Sequence, residues 1–211
     1  MPPELPSEIG NKIRDDVQSM CREVVEMLKL TGRAFKTQGL APLEPAIKLG
    51  QEIHRREKIL TEFIVRHVSR QEAALDASKK LLFVPGHLER VGDNVEFLIR
   101  AIRTMIQEGI PFSDDGIKEV STLFQKAIEI LECIGDAITT KNRVLIRHIV
   151  EDGKQFENIA NDYLLNHQQR LTEAVCLPKA SSVYLAMLDY LKGIESHTRQ
   201  IGQKFSESVT S

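Results

Sequence analysis

The chain has 211 residues, a net charge of −2 with acidic and basic residues interspersed, no tryptophan and only 5% aromatic residues. That balance gives no general attraction to nucleic acid or anionic lipid, and so few aromatics make a poor base-stacking surface. No apolar run approaches the roughly 20 residues needed to cross a bilayer, so no integral membrane segment is expected.

The first segment, from about Ser7 to Gln38, sets Ile13, Val17, Met20, Val24, Leu28, Thr31 and Phe35 three or four apart, the spacing of one buried helical stripe. Gly39 is expected to stop it. Pro42 and Pro45 then open a second helix, where a missing N–H does no harm, and it runs to about His67 with Ile47, Ile53, Leu60 and Ile64 inward. Ser69-Arg70-Gln71-Glu72 reads as a capping box that opens a third helix, which continues to about Glu108. Pro85-Gly86 lies inside that helix, where proline frees the carbonyl of Leu81 and predicts a kink just before Glu89. Gly109-Ile110-Pro111-Phe112-Ser113 breaks the pattern, and helices over about 114–141, 145–170 and 177–207 follow. No alternating strand pattern and no glycine-rich phosphate loop appears.

The second trio repeats the first. Residues 11–107 lie over 114–210 without a gap, at an offset of 103 that carries Val17 onto Val120. Met20, Met27, Leu28, Ile53, Leu88, Val91 and Leu98 then fall on Leu123, Ile130, Leu131, Phe156, Leu191, Ile194 and Ile201, and Gly32 and Gly50 on Gly135 and Gly153. Matched apolar stripes at one offset mean one helical unit built twice. The expected fold class is therefore all-α, with two tandem three-helix bundles (residues 1–109 and 110–211) related by internal pseudo-symmetry. Halves of this size bury only modest cores, so they should pack on each other, and a homodimer is expected. Phe63, Phe83 and Phe97 are core candidates. Cys21, Cys133 and Cys176 form no CxxC and read as reduced, buried thiols of a cytosolic protein. Met1-Pro2-Pro3-Glu4-Leu5-Pro6 lacks the basic and apolar regions of a signal peptide, which also suits a cytoplasmic location.

The two copies differ most where chemistry is conceivable. In His87-Leu88-Glu89-Arg90-Val91-Gly92-Asp93-Asn94 the apolar Leu88 and Val91 face inward, and Glu89 and Asp93, four apart, project from one side. Like charges at that spacing destabilise a helix by about 0.2–0.5 kcal/mol, a sign that a bound cation would reverse. Two acids on a solvated helix face are nevertheless ordinary, and spacing alone favours that plainer reading.

The segment Leu88-Glu89-Arg90-Val91-Gly92-Asp93-Asn94, in the third helix of a duplicated bundle, resembles the leucine-glutamate-arginine-isoleucine-glycine-aspartate-histidine signature of the PhoU family of phosphate-uptake regulators. The likeness extends over nearly the whole chain. It implies a cytoplasmic six-helix regulator of phosphate uptake and phosphate-starvation signalling. Such a regulator would be an adaptor rather than an enzyme, reaching the inner membrane only through its partners, the phosphate importer ATPase and a sensor histidine kinase. It also implies iron or zinc, or another divalent cation, on a glutamate-xxx-aspartate face. Here that assigns Glu89 and Asp93, with His54 beside Glu57 as a further ligand. Only the first half qualifies, because the second reads Leu191-Lys192-Gly193-Ile194-Glu195-Ser196-His197 and puts a lysine where a cation would sit. The family's usual acids on helix two are replaced by Gly50 and His54, and by Gly153 and Glu157.

Two other readings follow from the same residues. Such domains also occur fused to sodium–phosphate cotransporters and cation channels, which makes a regulatory subunit of another ion transporter the alternative. A metal-dependent hydrolase at Glu89 and Asp93 is the remote one. No Glu-x-x-His, His-Glu-x-x-His or Gly-x-Ser-x-Gly occurs, and no catalytic constellation is visible. The basic run His54-Arg55-Arg56 with Lys58 reads as a solvated helix face.

Overall fold

The apolar stripes become six α-helices in a computed structural model that describes residues 7–68, 75–140 and 142–206. They are α1 (Ser7–Thr37), α2 (Leu43–Val68), α3 (Leu75–Gln107), α4 (Asp114–Thr140), α5 (Arg143–Thr172) and α6 (Pro178–Ser206). There is no strand among the described residues. The capping box expected at Ser69–Glu72 lies outside them. α3 runs unbroken through Pro85, whose side chain is buried.

Three helix ends close in one way. Gln38, Gly109 and Ala174 all take the left-handed conformation, with φ of 50°, 58° and 57°. At α1 the Gln38 N–H bonds to the Phe35 carbonyl and the Gly39 N–H to that of Ala34, which is a Schellman closure. The expected stop at Gly39 is thus displaced by one residue. Gln38 takes the strained position, and Gly39 supplies the second N–H. α5 begins on Asn142, whose side chain accepts from the Val144 N–H at 2.9 Å.

α1, α2 and α3 pack on one another, as do α4, α5 and α6, and the halves meet along α1 against α4 and α3 against α6. α3 and α6 begin at Leu75 and Pro178, one offset of 103 apart. The seam is itself two-fold. Gly32 lies under Phe124, and the equivalent Gly135 lies under Cys21, the residue equivalent to Phe124. A Cβ on Gly32 would come within 3.1 Å of the Phe124 ring, so glycine is what lets α1 and α4 approach this closely. Lys29 and Glu132, also equivalents, meet each other at 2.6 Å. Contacts of the form i to j′ and j to i′, with one position meeting its own counterpart, are the signature of an isologous interface. One hydrophobic core runs through both halves, from Ile13 and Leu88 to Phe156 and Leu191.

Two sequence expectations are corrected. Phe97 is 39% exposed, while Phe63 is partly buried against the core and Phe83 lies tilted against His87 with ring centroids 3.8 Å apart. The three thiols are free, but only Cys21 is buried, and burial pushes it up to about 12; Cys133 and Cys176 are half-buried. Cys133 packs against the edge of the core, and burial first, then the nearby Asp136 and Glu132, raises its pKa.

Candidate functional site

The α2–α3 packing brings His54, Glu89 and Asp93 together and adds a residue that the sequence reading passed over, Glu96. The His54 ring lies among three carboxylates. Its Nδ1 is 3.3 Å from Glu89 Oε1, and its Nε2 is 3.3 Å from Glu96 Oε1 and 3.7 Å from Asp93 Oδ1. Glu89, Asp93 and Glu96 step by four and three, which keeps all three on the α3 face toward α2. Gly50 makes the room for Glu96. A Cβ there would lie 2.7 Å from Glu96 Oε1 and 3.0 Å from Met27 Cε. Burial, the largest influence on His54, lowers its pKa. The Glu89 hydrogen bond and the charges of Glu96 and Asp93 outweigh it and leave the pKa above the ordinary value. Glu57, expected beside His54, instead accepts from the Thr61 hydroxyl at 2.8 Å.

The second half holds the same place with the charges exchanged. Glu157 stands at the His54 position, and Lys192, Ser196 and Arg199 stand at those of Glu89, Asp93 and Glu96. Lys192 donates to Asn161 at 3.1 Å, and Arg199 donates to Glu195 at 2.7 Å and to Glu157 at 3.2 Å. Glu195 is 2% exposed; burial raises its pKa and Arg199 opposes that. Here Gly153 makes the space, since a Cβ would strike Glu195 Oε1 and come within 2.9 Å of Arg199 Cδ. Gly153→Ala is therefore expected to cost about 1–3 kcal/mol, as overpacking does, despite alanine's better helix propensity. Chemical denaturation checks this, and a stabilised variant would show that the ion pair moves aside freely.

The donor types around His54 suit iron or zinc. Their arrangement does not. Both imidazole nitrogens already face carboxylates, and the ring occupies the space between them. Asp93 and Glu96 also have Arg90 and Arg100 within 3.6 Å. Among the described residues no group of three or more His, Cys, Asp or Glu side chains is set to hold a metal ion. What the face offers chemically is a half-buried cluster of three acids around one titratable base.

Two further polar clusters lie elsewhere. Glu119, on the buried stripe of α4, takes both Arg170 terminal nitrogens, at 2.9 and 2.6 Å, and the Tyr184 hydroxyl at 2.6 Å. His167 stacks on Tyr184 at 4.3 Å and reaches Ser181 Oγ at 2.8 Å. A cavity of about 170 Å³ opens beside them, between Phe112, Cys176 and Leu177. At the seam, His87 Nδ1 on α3 lies 3.1 Å from His197 Nδ1 on α6.

Burial first, then His197 and Arg90, push His87 down to about 4 from its ordinary 6.5. The unfolded chain then binds this proton at a pH where the folded one refuses it. Stability should fall as pH drops from 6.5 toward about 4 and level off below that. His87→Gln should flatten melting temperature against pH in that window, and parallel curves for variant and parent would sink the assignment.

Glu119 could have been noticed as an acid on an apolar stripe between Gly116 and Val120. Nothing local announces its partners 51 and 65 residues away.

Residues 17–102 match the family model described as the PhoU domain, which spans the acidic segment of the first half. No curated protein matches the chain by sequence. Among solved structures it is similar to PhoU from Pseudomonas aeruginosa, with a TM-score of 0.87 at 20% identity, covering 96% of this chain and 98% of that one. It is also similar to the phosphate transport system regulatory protein PhoU from Streptococcus pneumoniae, with a TM-score of 0.83 at 14% identity, covering 96% and 95%.

Proposed function

We propose that this chain, in which residues 17–102 are a PhoU domain and all six helices have the PhoU fold, regulates phosphate transport and does so without catalysing a reaction. The observation that carries the reading is the coincidence of that domain with the His54, Glu89, Asp93 and Glu96 face, the charged cluster in which the two halves differ. A half-buried acidic cluster on two packed helices offers a partner both shape and charge, and electrostatic complementarity of that kind selects partners and speeds encounter. The partners we assign are the phosphate importer ATPase and a sensor histidine kinase, met at the cytoplasmic face of the membrane. None of the described helices is long and apolar enough to cross it. Self-association into a homodimer belongs to the same proposal.

The test is genetic and physical together. Deleting the gene should raise a phosphate-starvation reporter in phosphate-rich medium, and the intact chain should restore repression. Glu89→Gln with Asp93→Asn should fail to restore it while keeping the helical spectrum, and should lose the ATPase or the kinase on co-purification. A reporter and phosphate uptake both indifferent to deletion would overturn the phosphate reading. A repressing double variant would move the partner surface elsewhere.

A further inference from the structure

The contact between His87 and His197 is the only place among the described ring contacts where two imidazoles face each other across the seam. Their Nδ1 atoms are 3.1 Å apart. An ion with bonds of about 2.0–2.1 Å to nitrogen sets neighbouring ligands about 3.3 Å apart when tetrahedral and about 2.9 Å apart when square-planar. The observed separation lies between the two. We infer that His87 and His197 form a two-imidazole site for a late first-row divalent transition-metal ion, Zn²⁺, Ni²⁺ or Cu²⁺, bridging α3 of one half to α6 of the other.

The surroundings hold the rings in place for this. Phe83 lies against His87 with centroids 3.8 Å apart and planes inclined at 32°, which restricts the turning of that imidazole. The two rings are inclined at 58° with centroids 5.2 Å apart, so the nitrogens converge edge to edge rather than the rings stacking. Both side chains are half-buried, which leaves an approach for the ion and room for water to complete its coordination. Gly193 lets the helices come this close, because a Cβ there would overlap Asn94 Oδ1. The charges that face the pair are Arg90, which opposes a cation, and Asp93, which favours one at His197. Soft and borderline ions with an affinity for imidazole are therefore selected over Mg²⁺ or Ca²⁺, which take oxygen.

Without metal, a 3.1 Å contact between two ring nitrogens needs one Nδ1–H donating to the other ring's bare Nδ1. Ligation needs both Nδ1 lone pairs. The donor ring shifts its proton to Nε2 through solvent, both rings become Nε2–H tautomers, and the neutral pair releases no net proton. The site differs from the neighbouring His54 face in its donors, two imidazole nitrogens instead of carboxylate oxygens, with Asp93 bordering both, and it does not rest on the phosphate reading.

The full-length chain, stripped with chelator, should bind Ni²⁺ and Cu²⁺ in equilibrium dialysis at one site per chain. Bound Cu²⁺ should show hyperfine splitting from two imidazole nitrogens in electron paramagnetic resonance. His87→Gln and His197→Gln should each weaken binding by about tenfold or more, since even outer-shell changes cost that much. Glu89→Gln should leave binding unchanged. A copper spectrum with oxygen ligands alone, which needs no variant, would overturn the site. So would equal affinity in the parent and both histidine variants, or affinity lost only in Glu89→Gln.

Discussion

Glu119→Ala is expected to destabilise the protein by about 3–5 kcal/mol, the range found when one partner of a buried ion pair is removed. The Glu119 and Arg170 side chains are 8% and 12% exposed. Arg170 Nε has no partner, so the carboxylate satisfies the two nitrogens on which the buried guanidinium depends. Alanine would strand that charge and leave the Tyr184 hydroxyl with only a 3.4 Å contact to the Tyr163 carbonyl. For a chain of this length the loss corresponds to roughly 6–20 °C in melting temperature, at about 2–4 °C per kcal/mol. Glu119→Leu combined with Arg170→Met should recover most of it, because replacing a whole buried pair with apolar groups is often neutral or better. Thermal and urea melts of the three proteins decide the matter. A single variant within about 1 kcal/mol of the parent would mean that water reaches Arg170. At the equivalent described positions of the first half there is no such pair. Asp16 and His67 stand at the equivalent positions, and His67 Nδ1 turns to the Phe63 carbonyl at 2.7 Å. Asp16→Ala should therefore lie within about 0.5 kcal/mol of the parent.

Phe124→Ala is expected to cost about 3–5 kcal/mol, through lost burial and the cavity left behind. Phe124 is 3% exposed, stacks on Phe35 at 6.0 Å, and fills the space that Gly32 leaves open. Truncating it removes an aromatic ring from the α1–α4 contact. Cys21→Ala, at the equivalent position against Gly135, removes one sulfur and should cost markedly less, about 1 kcal/mol. Equal losses at the two positions would contradict the packing described, in which the two-fold seam is filled by unequal side chains.

The fold was largely legible because it rests on periodicity, and periodicity survives divergence. Val17 and Val120, Leu28 and Leu131, and Leu88 and Leu191 are buried at both members of each pair. The candidate face was legible in part. Glu89 and Asp93 share a helix face by spacing alone, and His54 joins them only through the family resemblance. Glu96 could have been read too, since it lies seven residues, two turns, beyond Glu89. It was missed because its inward reach depends on the absent side chain of Gly50 on another helix. The Glu119–Arg170–Tyr184 and His87–His197 contacts depend on how helices cross after packing. No periodic signal encodes a meeting of single side chains 51 or 110 residues apart.

Lys29 and Glu132 touch across the pseudo-axis although they occupy the same position of the two copies. Were the halves identical, this position would meet itself, and any charge there would face its own like. Joining two copies in one chain lifts that restriction, because each can then carry what the other lacks. The bond itself is half-exposed and contributes only about 0.2–1 kcal/mol, yet it acts as a sorting rule. First half with first half would oppose two lysines, and second with second two glutamates. Only the mixed pairing is neutral, so the charges steer a second half away from a like half of a neighbouring chain, and the tether makes its own first half the nearest neutral partner.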